Sequence, residues 1–172
     1  NDWKNAKFEA FGDGNAFSLA HDNGTMYLAV KLKDATPRMN VQTGSNLWKG
    51  DAIEFAFSTN ETADPKRTSF LLSDYHFGLN LGANPYIWNW SEDTQAKNMD
   101  FKISQDGKFV EIAIPMKEYT KSELFISKPL SFEIAFDQSD NGELRLSQER
   151  WNSEGSEGFH TNPSLWGKLM FE

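Results

Sequence analysis

Thr25-Met26-Tyr27-Leu28-Ala29-Val30-Lys31-Leu32-Lys33 alternates along its length. Met26, Leu28, Val30 and Leu32 fall on one side, and Tyr27, Lys31 and Lys33 on the other. A period of two marks a strand with one face on a core. Asp22-Asn23-Gly24, just before it, supplies the positive-φ residue of a tight hairpin turn, so Asn15 to His21, with Phe17 and Leu19 on one face, is the expected partner. The same alternation returns in Asp51–Ser58 (Ile53, Phe55 and Phe57 against Ala52, Glu54 and Ala56), in Phe109–Pro115 (Val110, Ile112, Ile114) and in Ser131–Asp137 (Phe132, Ile134, Phe136). Weaker alternation extends the set to Thr68–Leu72, Tyr75–Leu81, Tyr86–Trp90, Asp100–Ser104, Leu144–Ser147 and Gly167–Phe171. Turn chemistry separates them at Thr62-Ala63-Asp64-Pro65, Gln105-Asp106-Gly107-Lys108 and Asp140-Asn141-Gly142. Pro115–Phe125 alone suits a short helix, with proline at its first position. About ten short strands and almost no helix predict an all-β, antiparallel β-sandwich. No repeat or linker divides residues 1–172, which read as a single domain, with Asn152–Gly158 as a surface loop.

Composition narrows the function. The 172 residues carry 17 Lys+Arg against 25 Asp+Glu, a net charge of −8. Nucleic-acid surfaces need clustered positive charge, so no nucleic-acid partner is expected. The absence of cysteine excludes disulfides, thiol nucleophiles, iron–sulfur clusters and cysteine-ligated zinc. No apolar run approaches the length that spans a bilayer, so no membrane partner is expected. Asn1-Asp2-Trp3-Lys4 is not a signal peptide, and any targeting segment is expected to be removed or to lie outside this stretch.

Three strands share a tetrad: Glu54-Phe55-Ala56-Phe57, Glu111-Ile112-Ala113-Ile114 and Glu133-Ile134-Ala135-Phe136. If the apolar members face the core, each Glu and Ala faces outward. Were the strands neighbours, the alanines would make a shallow floor with carboxylates beside it. The plainer alternative is that Glu111 and Glu133 simply decorate a wet face. Glu54 points more strongly to a site, because Trp48 and Asp51 precede it in Trp48-Lys49-Gly50-Asp51. An indole at a loop–strand junction suits the apolar C–H face of a pyranose, with polar neighbours for its hydroxyls. Trp88 and Trp90 share one side of their strand and read as a core pair or a second platform. Trp151 and Trp166 read as structural, and Trp3 as packing the first segment down.

Taken in order, Asp22-Asn23-Gly24-Thr25-Met26-Tyr27-Leu28-Ala29-Val30, Trp48-Lys49-Gly50-Asp51-Ala52-Ile53-Glu54, Asp106-Gly107-Lys108-Phe109-Val110-Glu111-Ile112-Ala113-Ile114-Pro115, Leu130-Ser131-Phe132-Glu133-Ile134-Ala135-Phe136-Asp137 and Asn162-Pro163-Ser164-Leu165-Trp166-Gly167 make a sequence that resembles the family 9 carbohydrate-binding modules. The resemblance covers nearly the whole chain. It implies a non-catalytic, secreted bacterial β-sandwich attached to a glycoside hydrolase. Such a module grips the end of a xylan- or glucan-type chain between two aromatic rings. It implies no required cofactor, and structural calcium (Ca2+) as in many members. By position, Trp48 matches the first clamp and Glu54 a polar residue beside it. The second clamp falls at His160, with Phe159 the better stacking ring, in place of a tryptophan. Gly78 stands where an arginine is expected, while Asn80 remains, and a glutamine expected near Ala135 is absent. The site residues implied are therefore Trp48, Glu54, Asn80, Phe159 and His160.

Other chemistries are poorly served. No Gly-x-Ser-x-Gly elbow, His-Glu-x-x-His or phosphate loop occurs. A glycosidase needs two carboxylates, which Glu54, Glu111 and Glu133 supply on separate strands without a local cluster. Haem ligation has its atoms in Met26, Met39, Met99, Met116, Met170, His21, His76 and His160, but alternation assigns Met26 to the core and no attachment motif is present. Asp137-Gln138-Ser139-Asp140-Asn141-Gly142 imitates the start of an EF-hand loop, yet its twelfth position is Gln148 and strands flank it, so it reads as a hairpin turn. A family-9-like sandwich without a sugar site, serving as spacer or docking module, is the alternative function.

Overall fold

The computed structural model describes residues 3–22, 24–33, 37–60, 62–120 and 128–171. In chain order the strands are β1 (Glu9–Phe11), β2 (Asn15–Asp22), β3 (Thr25–Lys31), β4 (Ala52–Ser58), β5 (Asp74–Asn80), β6 (Ile87–Asn89), β7 (Thr94–Gln95), β8 (Asp100–Ile103), β9 (Phe109–Pro115), β10 (Leu130–Gln138), β11 (Ser147–Arg150) and β12 (Gly167–Leu169). One sheet has the order β1-β2-β3-β9-β8. The other runs β11-β10-β4-β5-β6-β7, with β12 paired to the remaining part of the β10 edge. Every pairing is antiparallel. The all-β sandwich expected from the period-two pattern is the fold observed.

The β2–β3 hairpin closes with Asp22 opposite Thr25, and Gly24 takes φ +88°. A side chain there would sit in the left-handed region, which explains the glycine. Between the sheets, Phe17, Leu28, Val30, Ile112 and Ile114 meet Ile53, Phe55, Phe57, Phe77, Leu79, Phe132, Ile134 and Phe136, all essentially buried. Phe55 and Phe57 stack on Phe77 at centroid distances of 5.3 and 5.8 Å. Each such ring removed from water contributes about 1.5–3 kcal/mol of transfer free energy.

Several expectations are corrected. Thr68–Leu72 forms no strand, and β11 starts at Ser147, three residues beyond the expected Leu144. Leu144 and Leu146 are exposed instead. The short β1 and β7 join the set. The expected helix is only a 3-10 turn over Met116–Glu118, and positions 121–127 of that expectation lie outside the described residues. The shared tetrad does not define one surface. β4 and β10 are neighbours, but β9 belongs to the opposite sheet, so Glu111 and Ala113 face away from Glu54 and Glu133. Glu111 accepts a 2.5 Å bond from Trp3 Nε1, which ties the N-terminal segment down as expected of that tryptophan.

Candidate functional site

Alternation puts the polar partners of the core residues on the outer face of the larger sheet, and register arranges them in rows. One row runs Arg150, Ala135, Glu54, Gly78, Trp88 across β11, β10, β4, β5 and β6. A second holds Gln148, Asp137, Ala52 and Asn80, and a third Glu133, Ala56 and His76. Both faces of β4 and of most of β10 are buried, so this outer face is covered. Two flaps cover it. Phe159 and Trp166 lie on Ala56 and Ala135, with Trp166 Nε1 donating to the Phe159 carbonyl at 2.8 Å. The 3-10 turn Gly44–Lys49 inserts Leu47 over Gly78 and is held by Trp90 Nε1 donating to Ser45 O at 3.0 Å.

Between the flaps lies a polar cluster. Glu54 Oε2 meets His76 Nε2 at 2.7 Å, and Glu54 Oε1 accepts from Gln148 Nε2 at 2.9 Å. The same amide nitrogen reaches Asp137 Oδ1 at 2.8 Å. Arg145 Nη1 donates to Asp137 Oδ1 at 2.9 Å and lies 3.8 Å from Glu54 Oε1. Behind them Arg150 Nε donates to Gln148 Oε1 at 2.7 Å, while its Nη1 reaches the Ser153 and Ser156 carbonyls. Glu54, His76 and Asp137 are buried; Gln148, Arg145 and Arg150 are half-buried.

Burial governs the charges here. It raises Glu54 above the usual carboxylate range against the pull of Asp137, Arg145, Arg150 and Gln148. It raises Asp137 further, helped by the neighbouring charge of Glu54. His76 is pushed down to about 3 by burial, which outweighs the attraction of Asp137. A 2.7 Å carboxylate contact by itself favours an imidazolium, but a fully enclosed ring stacked 4.4 Å from Trp90 has no water to carry that charge. His76 is therefore the neutral donor to Glu54. Burial also lowers His160, assisted by the charges of His76, Arg145 and Arg150.

Trp48, in the Gly44–Lys49 turn, is half-buried. The Arg145 guanidinium lies 4.7 Å from its ring centroid and Lys49 Nζ 5.6 Å. His160 is exposed and stands 6.4 Å from His76, centroid to centroid. Trp48, Glu54 and His160 are thus brought to one cluster through Arg145 and His76. The other two expected residues are placed differently. Phe159 is 1% exposed, edge-on to His76 at 5.6 Å, so its face is spent on the alanine floor. Asn80 is buried, donating to the Gln42 carbonyl and accepting from Gly82 N, which makes it a brace for the neighbouring loops. Trp88 and Trp90 belong to the outer face under the Leu47 flap, outside the sandwich core.

Glu133 serves the fold: its oxygens accept from the backbone nitrogens of Ile134, Trp151, Asn152 and Ser153. The residues that sequence reasoning missed are His76, Asp137, Gln148, Arg145 and Arg150. Two-residue steps along strands already identified reach the first two: Ala135 leads to Asp137, and Gly78 back to His76. Asp51 anchors the loops that carry Trp48 and Arg145, accepting from Met39 N at 2.7 Å and from Ser139 N at 2.8 Å. Among the described residues, no group of three or more His, Asp or Glu is disposed to hold a metal ion. A cavity of about 850 Å³ lies elsewhere, beside Trp3, Tyr27 and Phe171.

An antiparallel sandwich with this strand order and this covered outer face has the fold of the family 9 carbohydrate-binding modules. No protein-family model matches the sequence, and neither does any curated protein. Solved structures do. A family 9 carbohydrate-binding module from Caldicellulosiruptor kristjanssonii in complex with cellotriose aligns over 100% of this chain and 85% of its own, at 18% identity and TM-score 0.77. The glucose complex aligns over 100% and 87%, at 18% identity and TM-score 0.72. A protein from Bacteroides uniformis aligns over 99% and 88%, at 17% identity and TM-score 0.68. No helix among the described residues is long and apolar enough to cross a membrane.

Proposed function

We propose that this domain is a non-catalytic carbohydrate-binding module that takes the end of a xylan- or glucan-type chain at the opening between Trp48 and His160. One observation carries the reading. A half-exposed indole lies against Arg145, an exposed imidazole stands 6.4 Å from the His76 ring on the other side of Glu54, and the Glu54–Asp137–Gln148 network fixes that arginine from behind. Indole offers the apolar face that a pyranose needs, and a preorganised guanidinium offers donors for its hydroxyls. The solved relatives of this fold that hold cellotriose and glucose support the ligand class.

The flaps support binding at a chain end. Ala56 and Ala135 would have floored an open groove, but Phe159 and Trp166 fill that space, and Leu47 fills the other side over Gly78. In this reading a sugar ring meets the edge of the covered sheet, and no open groove is left for a polymer across the alanine floor. As a module, the domain would concentrate an attached, secreted glycoside hydrolase on plant cell wall, with no bond broken at this site.

Calorimetric titration with cello- and xylo-oligosaccharides, each native and reduced to its alditol, tests this. Heat that disappears on reduction supports a pocket for the reducing end. Equal heat with both forms refutes recognition of the reducing end. No heat with any saccharide refutes the sugar site and leaves the spacer or docking role.

A further inference from the structure

The polar cluster has more carboxylate than donors. Glu54 accepts from His76 on one oxygen and from Gln148 on the other. Asp137 Oδ1 accepts from both Gln148 and Arg145, but Asp137 Oδ2 is enclosed and has no donor at all. An unpaired carboxylate oxygen in such a place is costly. Gln148 Nε2 bridges the two side chains, 2.9 Å from Glu54 Oε1 and 2.8 Å from Asp137 Oδ1, which brings the two carboxyl groups close together. Ionised carboxylates only accept and repel one another, so an enclosed pair with one oxygen lacking a donor favours a proton on the pair.

Charge counting gives the same answer. Arg145, from the turn before β11, is the cation that touches the pair. Arg150 on β11 is turned to Gln148 and two carbonyls, and His76 on β5 is enclosed and neutral. His160 on the covering loop lies beyond His76, in the field of both arginines. With one guanidinium in contact and Arg150 acting on Glu54 only from a distance, two enclosed carboxylates at close quarters favour a single shared proton.

We propose that Asp137 is held as the neutral acid, its proton shared with Glu54, and that this shared proton makes Asp137 a positioning residue that keeps Arg145 aimed at the opening. The positioning role rests on the saccharide reading above, whereas the proton does not. The proton relieves the repulsion between the two enclosed carboxyls, leaves Glu54 accepting from His76 and Gln148, and leaves Asp137 Oδ1 holding Arg145.

Carbon-13 labelling of aspartate carboxyls in the ligand-free protein tests the proton. The Asp137 resonance is the one missing from an Asp137→Asn variant. Its midpoint should lie well above the ordinary aspartate value; a midpoint near that value, about 4, overturns the proposal. Asparagine reproduces the neutral acid, with Oδ1 placed to accept from Arg145 and Gln148 as the aspartate oxygen does. It should bind cello- or xylo-oligosaccharide within about threefold of wild type, whereas Asp137→Ala should bind at least about tenfold more weakly. Equal weakening in both variants would mean that the charge of Asp137 is used, and would overturn the positioning role. Should the alanine variant not fold, the asparagine variant and the resonance decide alone. If the wild type binds no saccharide, the saccharide reading and the positioning role fall together, and the carboxyl resonance still decides the proton.

Discussion

Acidification should destabilise this domain through one enclosed ring, and the size of the effect can be worked out. His76 is buried, stacked on Trp90, and pushed down to about 3, while an imidazole in the unfolded chain takes up its proton at about 6.5. A group whose folded value is depressed stabilises above the unfolded value and loses that contribution as pH falls from 6.5 toward 3. Each pH unit in that window costs about 1.4 kcal/mol, so going from pH 7.5 to pH 5 costs about 2 kcal/mol. The raised carboxyls of Glu54 and Asp137 act in the opposite sense, because the folded state holds protons that the unfolded chain has released. A His76→Gln variant isolates the imidazole, since glutamine still donates to Glu54. Urea unfolding followed by tryptophan fluorescence at pH 7.5 and pH 5 should show the wild type losing about 2 kcal/mol more than the variant. Equal losses, or an imidazole resonance titrating at or above 6.5, would show that the 2.7 Å contact is an imidazolium–carboxylate pair, and would refute the reasoning.

Three further substitutions probe the flaps and the opening. Trp48→Ala should weaken saccharide binding at least about tenfold, a loss of about 1.5 kcal/mol, with cooperative unfolding preserved; calorimetry beside a thermal melt reads both. Gly78→Ala places a methyl 2.4 Å from Trp90 Cη2 and 2.7 Å from Leu47 Cδ1, and should cost about 1–3 kcal/mol of stability in urea. Asp51→Ala removes buried acceptors from Met39 N and Ser139 N, and should cost about 3 kcal/mol or more while loosening both the Trp48 and Arg145 loops. Hydrogen exchange that speeds up at Met39 and Ser139 together checks that last outcome.

The fold was legible because period two survives wherever one face of a strand meets the core. Thr25–Lys31 and Phe109–Pro115 read cleanly, since their outer faces are only partly covered. The pattern located β4, β5 and β10 as well, but could not say that their outer faces are also buried, because the cover comes from Leu47, Phe159 and Trp166, far away in sequence. Leu144 and Leu146 imitated a strand, yet pairing of Gln148 with Asp137 sets β11 further along, and side-chain bonds from Ser139 and Asn141 hold the turn open. Trp88 and Trp90 show the same limit. Spacing places them on one face, but only their neighbours Gly78 and His76 reveal which face that is.

Small residues on the outer sheet explain why the opening is local. Ala56, Ala135 and Gly78 leave a depression, and a depression on a protein surface can be filled by ligand or by the chain itself. Here the chain fills most of it. The Gly78 end takes Leu47, the Ala56–Ala135 end takes Phe159 and Trp166, and the part left over is the stretch where Glu54, Asp137 and Gln148 bring polar atoms to the surface through Arg145. An apolar cap could not close there without stranding those groups. In the proposed reading the polar network therefore does two things at once: it keeps the cover open at one place, and it offers there the donors a sugar hydroxyl requires. A variant that made the network apolar, Glu54→Leu with Asp137→Leu, should consequently let the flaps close over the gap. It should keep cooperative unfolding and lose saccharide binding. A variant that still bound saccharide as the wild type does would show that the opening owes nothing to the buried carboxyls.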